Sequence, residues 1–122
     1  MNIEKIRVAD VDIAVITGNE VEITDVSSAL DLMLSARYQT GADRLAIDKE
    51  IVCKDFFILS TGLAGEILQK FINYHMKAAF YGDYSHYTSK PLKDFIYESN
   101  QGRDFFFVST RDEALKALAG AK

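Results

Sequence analysis

The sequence predicts an α/β fold: a mixed sheet of four or five strands, its central strands parallel, packed against about four helices. Three observations carry this. Short, almost continuously apolar segments such as "RLAID" and "DFFFV" read as strands buried on both faces. Segments with apolar residues at helical spacing alternate with them. Hydroxyl or acidic residues stand where each helix should begin. With 122 residues and 48% apolar side chains, one packed core repays the entropy of ordering the chain, and residues 1–122 read as a single domain.

Two β-branched stretches between Ile3 and Ile16, joined at Ala9-Asp10, predict a strand pair at a sheet edge. Thr24 or Asp25 then caps a helix whose stripe is Val26, Leu30, Met33, Leu34 and Arg37, and Gly41 ends it. "RLAID", residues 44–48, is a strand, and residues 49–54 are an irregular connection. Phe56 to Leu59 form an apolar run of strand or loop that leads into "STGLAGEILQKF". There Leu63, Ile67, Leu68, Phe71 and Ile72 make one stripe of an amphipathic helix. "KAAFYG", residues 77–82, is the next strand. After the polar aromatic loop "DYSHYTS", Ser89 and Pro91 open a helix that buries Leu92, Phe95 and Ile96. "DFFFV", residues 104–108, is the last strand, and Thr110 with Glu113 predicts a capping box on the closing helix.

Composition narrows the classes of function. The formal net charge is −4 and no cluster of Lys and Arg matches a phosphate backbone, so nucleic acid is not expected as a partner. No apolar run approaches the roughly 20 residues that span a bilayer, so no membrane association is expected. Cys53 has no partner for a disulfide, and the chain start lacks the pattern of a signal peptide; the expected location is the cytoplasm. His75 and His86 lack the spacing of a metal site, and phosphate-loop, dinucleotide and hydrolase-elbow patterns are absent, so no metal or cofactor is expected. If helices cover one sheet face only, the Phe56-Phe57 and Phe105-Phe106-Phe107 rings require a second chain, and a homodimer is expected.

Two places carry candidate chemistry. Ser60, Thr61 and Gly62 stand at a helix start, where a hydroxyl caps free amides or serves as a switch or contact point. Gly62 and Gly65 share a side of that helix and read as positions of close packing. Asp48, Lys49 and Glu50, with Asp83, Tyr84, His86 and Tyr87, should emerge together beyond the carboxyl ends of the strands, where open α/β sheets bind ligands. That rim suits a small polar ligand or a protein partner.

The run Leu59-Ser60-Thr61-Gly62-Leu63-Ala64 resembles the Asp-Ser-Ser-Gly-Leu-Gly motif of STAS domains, the fold of anti-sigma factor antagonists, and residues 108–118 are similar to their closing strand and helix. The resemblance implies a STAS-like architecture and a non-enzymatic regulatory module that binds a protein partner. It also implies that Thr61 is the residue a partner kinase would phosphorylate. Leu59 stands where that family has an acidic residue. A closer resemblance is to an uncharacterised bacterial family of unknown function, carried by "DFF-LSTGLAGEILQKF-NY" in residues 55–74 and "YTSK-L-DFIYESN" in residues 87–100. The alternative expectation is a small-molecule-binding protein or enzyme using Asp48, Lys49, Asp83 and His86.

Overall fold

The computed structural model describes residues 1–122. It contains one five-stranded sheet in the order β1-β2-β3-β4-β5: β1 (Asn2–Val8), β2 (Val11–Thr17), β3 (Arg44–Asp48), β4 (Lys77–Tyr81) and β5 (Phe105–Val108). β1 pairs antiparallel with β2, and β2 to β5 are parallel. The helices are α1 (Val26–Thr40), α2 (Leu63–Asn73), α3 (Lys90–Gln101) and α4 (Arg111–Gly120). The expected mixed α/β architecture is therefore present.

The strand order follows the chain order without reversal, so right-handed crossovers send α1, α2 and α3 to the same face of the sheet. Alternation along the strands supplies both faces. Ala14, Ile16, Leu45, Ile47, Ala78, Phe80 and Phe107 pack against these three helices. Ile13, Val15, Ala46, Ala79 and Phe106 point the other way, onto Ala114 and Leu118 of α4. Small side chains at Ala46, Ala79 and Ala114 let α4 lie close to the sheet. Arg44 at the start of β3 donates to the carbonyls of Leu118 and, at 2.9 Å, Ala121, tying down the end of α4 where free carbonyls attract a cation. Arg111 at its other end pairs with Glu4 of β1 at 2.8 Å.

This second layer corrects the expectation of rings left for another chain. Phe56, Phe57, Phe106 and Phe107 are all buried within the subunit, and Phe105 is half-buried. Those rings give no reason for a homodimer. Phe56 and Phe57 are not in a strand at all: they end a 3₁₀ turn, Lys54–Phe57, so the alternation of a strand does not apply to them.

Local chemistry explains the helix ends. Asp25 accepts from the Ser28 amide at 2.8 Å while Ser28 Oγ accepts from the Asp25 amide at 3.1 Å, closing a reciprocal cap on α1. Gly41 closes that helix at φ 76°, a left-handed conformation suited to glycine. The buried stripe of α1 is Ala29, Leu32, Met33 and Ala36, rotated from the expected one, with Leu34 exposed. Small residues there permit close approach to the sheet, a criterion that apolarity alone does not reveal. In α2, Ala64 takes a buried place while Ile72 is exposed. At α4 only half of the expected box forms. Thr110 Oγ1 accepts from the Glu113 amide at 3.1 Å, but the Glu113 carboxylate accepts from the Thr110 hydroxyl rather than from its amide.

Because Leu118 is fully buried and α4 alone covers the second face, Leu118→Ala should destabilise the fold by about 2–5 kcal/mol in urea unfolding, through lost burial and a residual cavity.

Candidate functional site

Beyond the carboxyl end of β3 the chain makes three successive 3₁₀ turns, Lys49–Ile51, Lys54–Phe57 and Leu59–Thr61, before α2. Asp48 starts the first, its carboxylate accepting from the Glu50 amide at 2.9 Å. Val52 then forms a parallel bridge with Ile23, which anchors the segment at the end of the sheet. Cys53 is half-buried, its Sγ 3.7 Å from the Thr24 carbonyl.

Thr61 and Ser60 differ sharply. Thr61 Oγ1 donates toward the carbonyls of Asp55 and Ile58, at 2.8 and 2.9 Å, and accepts from the Leu63 amide at 3.2 Å. The amides of Thr61 and Gly62 bond to the Ile58 and Leu59 carbonyls at 3.0 and 3.1 Å. The Thr61 hydroxyl thus knits the turn and accepts from the first amide of α2 although the residue is exposed, while Gly62 holds the N-cap position and no side chain caps the helix. Ser60 is exposed and its hydroxyl makes no hydrogen bond within the protein. Gly62 adopts φ 79°, which explains a glycine at that position. Close packing does not explain either glycine, for a Cβ at Gly62 or Gly65 would meet nothing within 4 Å.

At the same end of the sheet Lys49 is the sole buried charged residue, 8% exposed. Its Nζ lies 4.9 Å from the ring centre of Tyr87, 5.6 Å from Phe57 and 5.8 Å from Tyr84. Gly82, at φ 153°, makes the approach possible. A Cβ there would stand 2.8 Å from Lys49 Cβ and 3.2 Å from Cδ. Tyr84 donates its hydroxyl to the Phe80 carbonyl at 3.0 Å, which fixes one wall, and burial pushes its pKa strongly upward. His86 stacks on Tyr87, with centres 4.5 Å apart and planes 30° apart.

The ammonium makes no hydrogen bond to protein, and its nearest carboxylate oxygen, Glu50 Oε1, is 3.9 Å away. Three rings each contribute about 0.5–2 kcal/mol to a cation. Desolvating a charge costs several kcal/mol. The cage therefore offsets part of the penalty, and Lys49 keeps donors available to an external acceptor.

Of the residues expected at the rim, the structure brings Lys49, Tyr84, His86 and Tyr87 together. Asp48 is engaged with the Glu50 amide, and Asp83 accepts from the Ser85 amide and hydroxyl at 2.8 and 2.6 Å. Those Ser85 bonds hold the Asp83 carboxyl below its usual pKa, with smaller help from the charges of His86 and Lys49. Glu50 lies at the rim beside Lys49 as expected, whereas Phe57 and the slot at Gly82 were not anticipated. The pair "FF" after a turn was the available signal for Phe57.

Two grooves flank the His86–Tyr87 pair. The first, about 360 Å³, runs between Ile58, Leu59 and Ser60 on one side and Thr88, Ser89 and Pro91 on the other. Ile58 is 51% exposed there. The second, about 250 Å³, has Lys49, Glu50 and Lys54 along it and Val21 at its edge. Ser60, not Thr61, lines the first groove. No three His, Cys, Asp or Glu side chains are placed to hold a metal ion, and His75 lies at the far end of α2. No helix is long and apolar enough to cross a membrane.

Fold and rim together define an α/β protein with a mixed five-stranded sheet and a partly apolar, grooved surface beyond its parallel strand ends. The model of the family described as domain of unknown function DUF4180 matches residues 8–118, and the chain belongs to that family. Comparisons with curated proteins and with solved structures give no significant match.

The contrast between the two hydroxyls is measurable. Thr61→Ala should cost about 1 kcal/mol in chemical unfolding, as loss of a hydroxyl that hydrogen-bonds within its own turn does, whereas Ser60→Ala should stay within about 0.5 kcal/mol of wild type.

Proposed function

We propose that the chain is a non-enzymatic regulatory or protein-interaction module, acting in the bacterial cytoplasm, that docks a protein segment along the grooved rim. One observation carries this reading: residues 57–60 and, distant in sequence, residues 86–89 with Pro91 and Leu92 line one half-apolar groove with exposed Ile58 on it. Aromatic side chains at its centre suit an interface hot spot. The resemblance of Leu59 to Ala64 to the motif of anti-sigma factor antagonists adds support, because that motif here forms one bank and leads into α2.

Ser60 and Thr61 tune the contact in different ways. Ser60 meets the partner directly. Phosphorylation of Thr61 replaces a donor by acceptors against the Asp55 and Ile58 carbonyls, so the turn has to rearrange and the bank moves with it. The switch thus works through the turn. The alternative, a small-molecule site or enzyme built on Asp48, Lys49, Asp83 and His86, is disfavoured, because the carboxylates of Asp48 and Asp83 already serve their own turns.

A photocrosslinking residue placed at Ser60 or at Thr88 should capture the same partner in cells, whereas one at Tyr38, 90% exposed near the end of α1, should capture none. Thr61→Glu should lower the Ser60 yield several-fold in a protein that still folds. Equal yields from all three positions contradict docking at the rim. An unchanged yield with Thr61→Glu removes the switch alone.

A further inference from the structure

We propose that the segment docked at the rim anchors itself through a carboxylate: an Asp or Glu side chain of the partner bonds Lys49 in the second groove, while a nearby large apolar residue of the same segment fills the first. This rests on the docking reading above and adds the partner's chemistry. The two grooves share His86 and Tyr87, so one extended segment crossing that pair reaches both.

The anchor point is built into the fold. The Lys49 side chain is only 9% exposed, yet it lines the second groove and its Nζ has no hydrogen-bond acceptor in the protein. Three aromatic rings hold it, and Gly82 lacks the Cβ that would block its stem. A lysine satisfied by its own subunit would show an acceptor within hydrogen-bonding distance.

The surrounding charges select the class of anion. Lys54 and His86 flank the groove. Asp48 and Asp83 are engaged with Glu50 N and Ser85. Glu50 is the carboxylate closest to Lys49, at 3.9 Å, and its side chain is 76% exposed. It occupies the role of counter-ion without making the bond, and an incoming carboxylate displaces it at little cost. A side-chain carboxylate matches the single charge of Lys49, and Glu50 already brings a group of that class to 3.9 Å from the ammonium.

The test uses a random dodecapeptide display library selected on the intact chain. Recovered peptides, measured by fluorescence anisotropy, should carry Asp or Glu close to a large apolar residue. Lys49→Met, which keeps the stem beside Gly82, should weaken them by at least about tenfold. Glu50→Gln should tighten them, a gain that misfolding does not produce. Changing the peptide's acid to its amide should weaken binding to wild type and leave binding to Lys49→Met unaltered. Binders that map to the rim by amide shifts but lack an acidic residue, or are indifferent to Glu50→Gln and to amidation, overturn the carboxylate anchor and leave the docking reading standing. Failure to recover any binder that maps to the rim overturns both.

Discussion

The Lys49 stem passes the bare backbone of Gly82 and places its ammonium among Phe57, Tyr84 and Tyr87, and the rim of the molecule depends on that contact. It brings the turn after β3 onto two segments that already meet through Phe57, Tyr84 and Tyr87: the 3₁₀ segment before α2 and the loop between β4 and α3. Without a lysine in this place the three rings would pack as an apolar cluster indifferent to charge. With it, the end of the sheet is held together by a cation that still has donors to offer.

The winding of the sheet is what puts these segments side by side. Neighbouring strands β3 and β4 are parallel and in register, with Asp48 opposite Tyr81, so the residues that follow, Lys49 and Gly82, leave the sheet at the same height. Because the strand order never reverses, α1 to α3 all leave on one face, and the turns before α2 and α3 crowd together over it. α4 covers the opposite face through small residues and two arginine contacts, leaving the rim as the place where polar loops gather. Stability and docking surface thus follow from one topological choice.

Most of the architecture was legible from residues. Apolar runs located the five strands and four α-helices but not the three 3₁₀ turns before α2, and the edge pair, Asp25, Gly41, Ser89 and Thr110 act as their chemistry suggests. Errors arose where local pattern and tertiary packing diverge. α1 buries Ala29 and Ala36 in preference to Leu34, since nearness to the sheet selects for size as well as polarity. The fate of Phe56 and Phe57 turned on 3₁₀ geometry, which has no strong sequence period. At the rim, the convergence of Lys49, Tyr84, His86 and Tyr87 was readable from strand ends alone. A local role for one hydroxyl of Ser60-Thr61 was also expected, but not that Thr61 would bond back to the Asp55 and Ile58 carbonyls, nor that Asp48 and Asp83 would be withdrawn into their own turns, because local acceptor and donor geometry decides these bonds.

The caged ammonium is the central claim, and proton NMR reads it directly. Protons on the ε-carbon of a lysine held over aromatic faces feel their ring currents. The Lys49 ε-proton resonances should lie well upfield of those of every other lysine in the chain, and should move when Tyr87 is replaced by leucine. Lys49 ε-protons at the position common to solvent-exposed lysines, unmoved by that substitution, would contradict the account.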